Sequence, residues 1–213
     1  MKKAVFFHCK FSGTGIPSED QALNIYTEQV AALQGSGLAD ETDEIHFGVN
    51  GPDALLAGSL APTRTHIHAL GCDVEGERPT MSLMQQWLPE HPDWAVLYFH
   101  MKGVSQPNDA YARWRRCMER AVIWNWRRCV DLMIQGFDTV GAHWLTHAKY
   151  PILGKDQRYW GGTFWWAAAK YLLTLPPLPE QRGKYYKGEE WIGTGIRAPL
   201  LYDFCPHFPM TGC

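Results

Sequence analysis

The sequence predicts an α/β fold, with one domain built on a largely parallel β-sheet flanked by helices. Short apolar runs, each typical of a buried strand, alternate at least four times with segments of helical hydrophobic spacing. That alternation favours β-α-β units, whose strands run parallel. The chain has 213 residues, a length that suits one domain, residues 1–213, better than two very small ones.

Apolar runs mark the strands. The first four are predicted over residues 4–7, 45–49, 65–70 and 94–99. The fourth reads Trp-Ala-Val-Leu-Tyr-Phe, and we expect a run so apolar to be covered on both faces and to lie inside the sheet. A further strand is predicted over 139–145, and 164–175 is expected to turn from strand into helix.

Amphipathic segments that end at glycine or proline predict the helices. The first predicted helix begins at residues 17–20 and ends at Gly35. Three further helices are predicted over 52–57, 79–88 and 108–135. Residues 176–213 are rich in Pro, Gly and Tyr and are expected to form an irregular wrapping or capping tail.

Composition excludes several classes of protein. The formal net charge is −2, so there is no global basic field of the kind that drives non-specific nucleic-acid binding. No apolar run approaches the roughly 20 residues of a membrane span. The six cysteines form no C-x-x-C pair, which argues against a zinc ribbon. We therefore expect free thiols, a reducing compartment and a cytoplasmic location.

Polar residues follow the first and the central strand. His8 closes the first run, and His100, Lys102 and Ser105 follow the central one. Ligands of open parallel sheets bind beyond the carboxyl ends of the strands, so these residues predict a phosphate site near a helix N-terminus. A plain strand–turn–helix junction, capped by Ser105 or Asn108, explains the same residues without a ligand.

Arginines follow in the first turns of the long helix. Arg113 and Arg116 lie beside the polar cluster, where a positive charge opposes the helix dipole unless an anion is near. At least one of them is a candidate anion ligand. Arg120 and Arg127, further along, are expected on a solvated face.

Two later segments are candidate binding or catalytic sites. Gly162, Thr163 and Trp165 could form a platform for a donor or acceptor ring, or simply a tight turn before a buried aromatic strand. Glu189 or Glu190 could act as a general base, or both could be surface acids. His66 and His68 alternate on a strand without a third ligand, so no metal site is predicted.

These motifs resemble a known family. The segment 98–105, YFHMKGVS, resembles the Y-F-H-x-K-G-x-S segment of a group of bacterial and phage glycosyltransferase-like proteins. The Arg- and Trp-rich helix after it, and residues 136–141, 162–167 and 189–193, resemble the same proteins in the same order. The resemblance spans roughly residues 4–195.

The resemblance implies a Rossmann-like fold similar to that of the nucleotide-diphospho-sugar (GT-A-like) transferases. The donor would lie at the carboxyl edge of the sheet. On this basis the donor phosphates would be lined by His8, His100, Lys102 and Ser105, with Arg113 and Arg116 nearby. The acceptor would be lined by Gly162, Thr163 and Trp165, and the candidate catalytic residues would be Lys102, Glu189 and Glu190.

Two positions depart from the pattern of such transferases. The Asp-x-Asp that usually holds a divalent metal reads His100-Met101-Lys102 here. Lys102, with Arg113, could replace the metal in neutralising the leaving diphosphate, so no cofactor is expected beyond the nucleotide sugar itself, although a divalent metal stays open. Thr163 stands where an Asn is expected before Phe-Trp-Trp.

The sequence thus predicts glycosyl transfer from a nucleotide-activated sugar to a hydroxyl acceptor. A polysaccharide, a lipid carrier, a protein and modified nucleic acid all remain open as acceptors. The alternative is a non-catalytic module that binds a glycan or nucleic acid through stacked aromatics and arginines. A third reading is a degenerate transferase fold kept as an interaction scaffold.

Overall fold

A computed structural model describes most of the chain. The described residues are 1–11, 16, 18–50, 53–70, 76–106, 108–146, 158–178 and 188–206. The strands are β1 (Lys3–Lys10), β2 (Glu44–Asn50), β3 (Thr65–Ala69), β4 (Ala95–His100), β5 (Thr139–Gly141), β6 (Trp144–Thr146), β7 (Arg158–Trp160), β8 (Trp165–Ala168) and β9 (Leu201–Asp203). The helices are α1 (Glu19–Gly35), α2 (Leu38–Glu41), α3 (Ala54–Leu60), α4 (Arg78–Trp87), α5 (Asp109–Glu119), α6 (Trp126–Ile134), α7 (Ala169–Leu172) and α8 (Gly188–Trp191).

Seven of these strands form one sheet in the order β3-β2-β1-β4-β8-β5-β9, and β6 pairs with β7 separately. All neighbours pair in parallel except β8, which is antiparallel to both β4 and β5. The mostly parallel, Rossmann-like α/β class is therefore confirmed. The chain leaves β1 on one side through β2 and β3 and returns on the other side as β4. The carboxyl ends of β1 and β4 thus flank a topological switch point, the usual ligand site of such sheets.

The core lies on both faces of the inner strands. β4 is the fourth of the seven strands and is buried along almost its whole length, as its apolar run predicts. Phe7 of β1 and Phe99 of β4 stack with ring centroids 4.3 Å apart. Because both faces are covered, the position of each polar side chain on these strands is tightly fixed.

The predicted helix over 108–135 is not continuous, and the prediction is wrong in this respect. A π-helical turn, Arg120–Trp124, separates α5 from α6. The indole of Trp166 donates to the carbonyl of Val122 (2.7 Å), and the thiol of Cys129 donates to that of Ala121 (3.4 Å). These side chains take up carbonyls that a regular helix would bond internally, which is a common cause of such a turn.

Two other segments differ from the prediction. The strand expected over 139–145 is interrupted, because His143 has a φ of 64°, and β5 and β6 therefore belong to different sheets. The C-terminal segment is not wholly irregular, since it contains α8 and since β9 joins the main sheet beside β5. Residues 179–187 and 207–213 of the predicted tail lie outside the described residues.

The described cysteines are not all free. Cys9, Cys129 and Cys205 keep their thiols, as expected, but Cys117 is disulfide-bonded. Cys72 and Cys213 lie outside the described residues. Within the described part of the chain, no helix combines the length and apolarity that crossing a membrane requires.

Candidate active site at the carboxyl edge of the sheet

Two histidines meet at the switch point. His8 of β1 lies directly opposite His100 of β4 in the parallel register, so both side chains project on the same face of the sheet. The His8 ring is buried, and its Nδ1 shares a hydrogen bond of 2.8 Å with the hydroxyl of Thr80 on α4. Burial lowers the pKa of His8 to about 4, and the nearby Glu77 offsets this only in part. His8 is therefore neutral at pH 7.

Glu77, the residue before α4, supplies a carboxylate under the two histidines. Its Oε1 lies 2.8 Å from Nδ1 of His100, and its Oε2 accepts a hydrogen bond of 3.0 Å from the hydroxyl of Tyr98. Burial by itself would raise the pKa of Glu77, but the interactions with His100 first, and then with His8 and Lys102, outweigh burial and leave the pKa below its ordinary value. Glu77 is therefore ionised and fixes the orientation of the His100 ring.

The other ring nitrogen of His100 makes no hydrogen bond to any described residue. Its Nε2 is buried and has no hydrogen-bond partner among the described residues. Buried polar atoms are nearly always hydrogen-bonded. A histidine with a carboxylate on Nδ1 and an unengaged Nε2 is the arrangement in which the imidazole exchanges a proton or a hydrogen bond with a substrate.

Lys102 lies over this edge rather than in bulk solvent. Its side chain is only 15% exposed, and its Nζ is 3.9 Å from Oε1 of Glu189. The ammonium also lies 4.4 Å from the centroid of the Trp114 ring, a cation–π distance. Gly103 has a φ of +88°, and a Cβ there would come 3.2 Å from Cβ of Tyr111. The turn that places Lys102 therefore favours glycine at this position.

The helix after this turn is capped by Asn108. Its Oδ1 accepts a hydrogen bond of 3.0 Å from the backbone N–H of Tyr111, and α5 begins at Asp109. The expected alternative of Asn108 as N-cap is confirmed. Ser105 is exposed and lies before the cap, so its contact with a phosphate stays a prediction.

The two arginines selected from sequence lie on the outside of α5. Arg113 and Arg116 are both exposed, and Nε of Arg116 donates to Glu28 of α1 at 2.8 Å. Hydrogen bonds from Arg116 and Arg115 hold the pKa of Glu28 below its ordinary value, against the effect of burial. Arg116 is thus engaged by α1, while the role of either arginine toward an anion stays a prediction.

Arg115, which the sequence pattern does not single out, is buried beneath the site. Its Nη1 donates to the carbonyl of Lys102 (3.1 Å) and its Nη2 to Glu28 (2.5 Å). Its Nε lies 3.4 Å from Glu119, whose pKa burial raises to about 7. A buried guanidinium needs such fixed partners. Arg115 therefore anchors the backbone of the Lys102 turn.

The segment with Gly162, Thr163 and Trp165 forms a tight turn that enters β8. Gly162 has a φ of +88°, and a Cβ there would lie 2.6 Å from Sδ of Met118. Thr163 and Trp165 are completely buried, and Trp165 stacks on Tyr98 with centroids 5.4 Å apart. In this structure Trp165 offers no open face to a ring, so an acceptor contact at this segment stays a prediction.

Both candidate bases lie in α8. Glu189 reaches Lys102, as described above, and Glu190 follows it. Helix α8 packs against β7, and burial and then the two carboxylates raise the pKa of Tyr159 on that strand. The structure thus brings Lys102 and Glu189 together from positions 87 residues apart.

The sequence pattern alone does not point to Glu77, Thr80 or Tyr98. One signal could have found Glu77: it follows β3 and precedes α4, so it lies at the same carboxyl edge as the residues after β1 and β4. Tyr98 is part of a continuous apolar run, which gives no sign that its hydroxyl bonds a carboxylate.

A groove of ≈ 700 Å³ lies at the opposite, amino end of the sheet. Five of its lining residues are acidic, against two basic ones, Lys2 and Arg64. The acidic residues are Asp40, Glu41, Asp43, Glu44 and Glu90. Such a surface repels phosphate, so this groove does not suit a nucleotide.

No protein-family model matches the chain, and no curated protein matches it. Solved structures give weak likenesses. A candidate nucleotide-diphospho-sugar transferase from Desulfovibrio desulfuricans G20 is 14% identical over 66% of this chain and 58% of its own, with a TM-score of 0.41. Glucosyl-3-phosphoglycerate synthase from Mycobacterium tuberculosis, crystallised with Mn²⁺, UDP and phosphoglyceric acid, is 10% identical over 84% and 59%, with a TM-score of 0.44. A 4-diphosphocytidyl-2C-methyl-D-erythritol synthase is 14% identical over 80% and 76%, with a TM-score of 0.40.

The chain thus spans less than three fifths of the length of the first two of these proteins. Likenesses this weak do not identify a family.

Proposed function

We propose that this chain transfers a glycosyl group from a nucleotide-activated sugar to an acceptor hydroxyl at the carboxyl edge of β1 and β4. The observation that carries the proposal is the meeting of Lys102, the Glu77–His100 pair and Glu189 at the topological switch point. Ligands of open α/β sheets bind there. A lysine can hold a diphosphate, a histidine with a free nitrogen can bond it, and a carboxylate can take a proton.

In the proposed reaction, the carboxylates take up a proton and the cations hold the leaving group. The acceptor oxygen forms a bond to the anomeric carbon while the bond from that carbon to the diphosphate oxygen breaks. The acceptor's proton passes to Glu189 or Glu190. Lys102, with Arg113, offsets the negative charge that develops on the leaving diphosphate, so this step is proposed to need no divalent metal.

The contact between Lys102 and Glu189 supports these two roles, Lys102 as a ligand of the diphosphate and Glu189 as the base. At 3.9 Å, with Glu189 37% exposed, the pair is loose, and such pairs contribute about 0–1 kcal/mol. An incoming diphosphate can therefore replace Glu189 as the partner of Lys102. The freed carboxylate is then left beside the bound donor as a base for the acceptor.

The binding-module alternative gains nothing from four of the tryptophans, which include those of the segment around β8. Trp160, Trp165, Trp166 and Trp191 are all completely buried. Stacking on bases or sugars requires exposed ring faces. The aromatic segment around β8 belongs to the core.

Calorimetry with the full chain and a panel of nucleoside diphosphates and nucleotide sugars tests the proposal. Wild type should bind at least one of them. Lys102→Ala should weaken that binding about 10- to 100-fold, since a hydrogen bond to a charged group contributes about 1.5–3 kcal/mol, and Lys102→Arg should recover part of it. Lys170→Ala, at an exposed lysine of α7, is the matched control. Absence of binding across the panel, or equal affinity in Lys102→Ala, would rule the proposal out.

A further inference from the structure

Three soft metal ligands converge behind the candidate active site. Cys117 lies on α5, His143 between β5 and β6, and Cys205 just after β9. Sγ of Cys117 is 3.6 Å from Nε2 of His143 and 3.6 Å from Sγ of Cys205. All three atoms lie within 4.8 Å of one another. They come from positions 26 and 62 residues apart along the chain, so tertiary structure alone assembles them.

Two of the three inter-ligand distances fit the edges of a zinc tetrahedron. With Zn–S near 2.3 Å and Zn–N near 2.05 Å, tetrahedral geometry places two sulfurs about 3.8 Å apart and a sulfur and a nitrogen about 3.6 Å apart. The two contacts of Cys117, at 3.6 Å each, match these values, and the third pair, Nε2 of His143 and Sγ of Cys205, lies within 4.8 Å. Thiolate and imidazole are also the ligand types that select zinc over Mg²⁺ or Ca²⁺.

The backbone around the ligands is held in place. His143 has a φ of 64°, a strained conformation for a residue other than glycine and one that clusters at functional sites. The Asp203 carboxylate accepts hydrogen bonds of 2.9 Å from the backbone N–H groups of His143, Trp144 and Cys205. One carboxylate thus fixes two ligand-bearing segments together, as outer groups around metal sites do.

We propose that the reduced chain binds one Zn²⁺ through Cys117, His143 and Cys205. The proposal concerns the reduced chain because Cys117 is disulfide-bonded in this structure and only a thiolate can be a ligand. A fourth ligand, water or a further side chain, completes the tetrahedron. The ion joins α5 to the ends of β5 and β9. It also fixes Trp114, whose ring centroid lies 6.5 Å from that of His143 and 4.4 Å from Nζ of Lys102.

The test is the zinc content of the full chain, purified with a thiol reductant and confirmed by alkylation to carry a free Cys117 thiol. We expect one zinc per chain, and Co²⁺ in its place should give a thiolate-to-metal charge-transfer band. Cys205→Ser should weaken Zn²⁺ binding at least about 100-fold and remove part of that band. Cys129→Ser, at a buried free cysteine of α6, should retain both.

If Cys205→Ser does not fold, the Co²⁺ spectrum of wild type still tests the proposal, because the charge-transfer band requires a thiolate ligand. A reduced chain that retains no zinc and gives no such band overturns the proposal. Equal affinity in Cys205→Ser does so as well. The outcome is independent of nucleotide binding, since the zinc ligands do not include the donor-site residues.

Discussion

Two clusters of histidine and glutamate lie under the two ends of α4, and they differ in one respect. The carboxyl-edge cluster comprises His8, Glu77 and His100, beside the first turn of α4. The strand cluster comprises Glu44, His46, His66 and His68, beside the last turn, where Trp87 donates to Glu44 at 2.8 Å. Each contains a histidine bonded to a carboxylate at 2.8–3.0 Å.

The difference lies in the second nitrogen of the ring. In the strand cluster, Nε2 of His46 bonds Glu44 at 3.0 Å and Nδ1 bonds His68 at 3.1 Å, so both nitrogens are used internally. The His46 ring also stacks on Phe6 with centroids 4.6 Å apart. His100 instead keeps a buried Nε2 without a partner among the described residues. The residue types are the same in both clusters, so they do not distinguish a structural histidine from a candidate catalytic one. The distinguishing feature is a ring nitrogen without a hydrogen bond at the end of a strand.

The largest effect is expected from Glu77→Gln. The change removes the charge that orients His100 toward the leaving diphosphate, and the loss of one preorganised donor at a developing charge costs about 10²–10³-fold in rate. We therefore expect transfer activity, once a donor is known, to fall at least about 100-fold. The measurement is kcat/KM against pH, because Glu77 acts through His100 and its loss should also change the pH profile.

Nucleotide affinity and far-UV circular dichroism of the same variant provide the control. A folded Glu77→Gln protein with unchanged kcat/KM and an unchanged pH profile would show that the two clusters do not differ in function.

Lowering the pH should reduce the free energy of unfolding through a buried histidine in each cluster. Burial lowers the pKa of His8 and of His46 to about 4 from an ordinary value of 6.5. The unfolded chain then binds protons that the folded chain does not, so each histidine costs stability as pH falls from 6.5 toward 4. The loss between pH 7 and pH 5 is about 2 kcal/mol for each histidine.

Burial also lowers the pKa of His68, which adds to the loss in the same window. The shifted carboxylates act outside this window or against it. The lowered pKa values of Glu77 and Glu44 matter only below their ordinary value of 4.5. The pKa of Glu119, raised to about 7, makes the fold more stable at pH 5 than at pH 7. Each variant is therefore compared with wild type. Between pH 7 and pH 5, the free energy of unfolding in urea should fall by about 2 kcal/mol less in His46→Gln, and likewise in His8→Gln, than in wild type.

Only His8→Gln should also change nucleotide affinity. Equal acid sensitivity in wild type and in both variants would mean that the two rings are not buried as described.

The sequence predicts the frame of the molecule better than its polar contacts. The run 94–99 is apolar at every position, and such a run is typical of an inner strand, so β4 and the edge that carries Lys102 are predicted from it. The partner of His100 does not follow, because Glu77 reaches it across the sheet from another connection. The π-helical turn depends on the Trp166 indole, 44 residues from the carbonyl that it bonds. Local spacing carries no information on such contacts.

The smallest effect is expected from Glu44→Gln, the counterpart of Glu77→Gln in the strand cluster. The glutamine can still accept from the Trp87 indole, and Glu44 is 30% exposed, so the free energy of unfolding should fall by only about 1 kcal/mol. Nucleotide affinity should not change, because Glu44 lies at the amino end of β2, where the groove is acidic. Urea unfolding and calorimetry on the same preparation measure both. A loss of nucleotide affinity in Glu44→Gln as large as that in Lys102→Ala would move the ligand site to the amino end of the sheet and remove the reason for preferring the carboxyl edge.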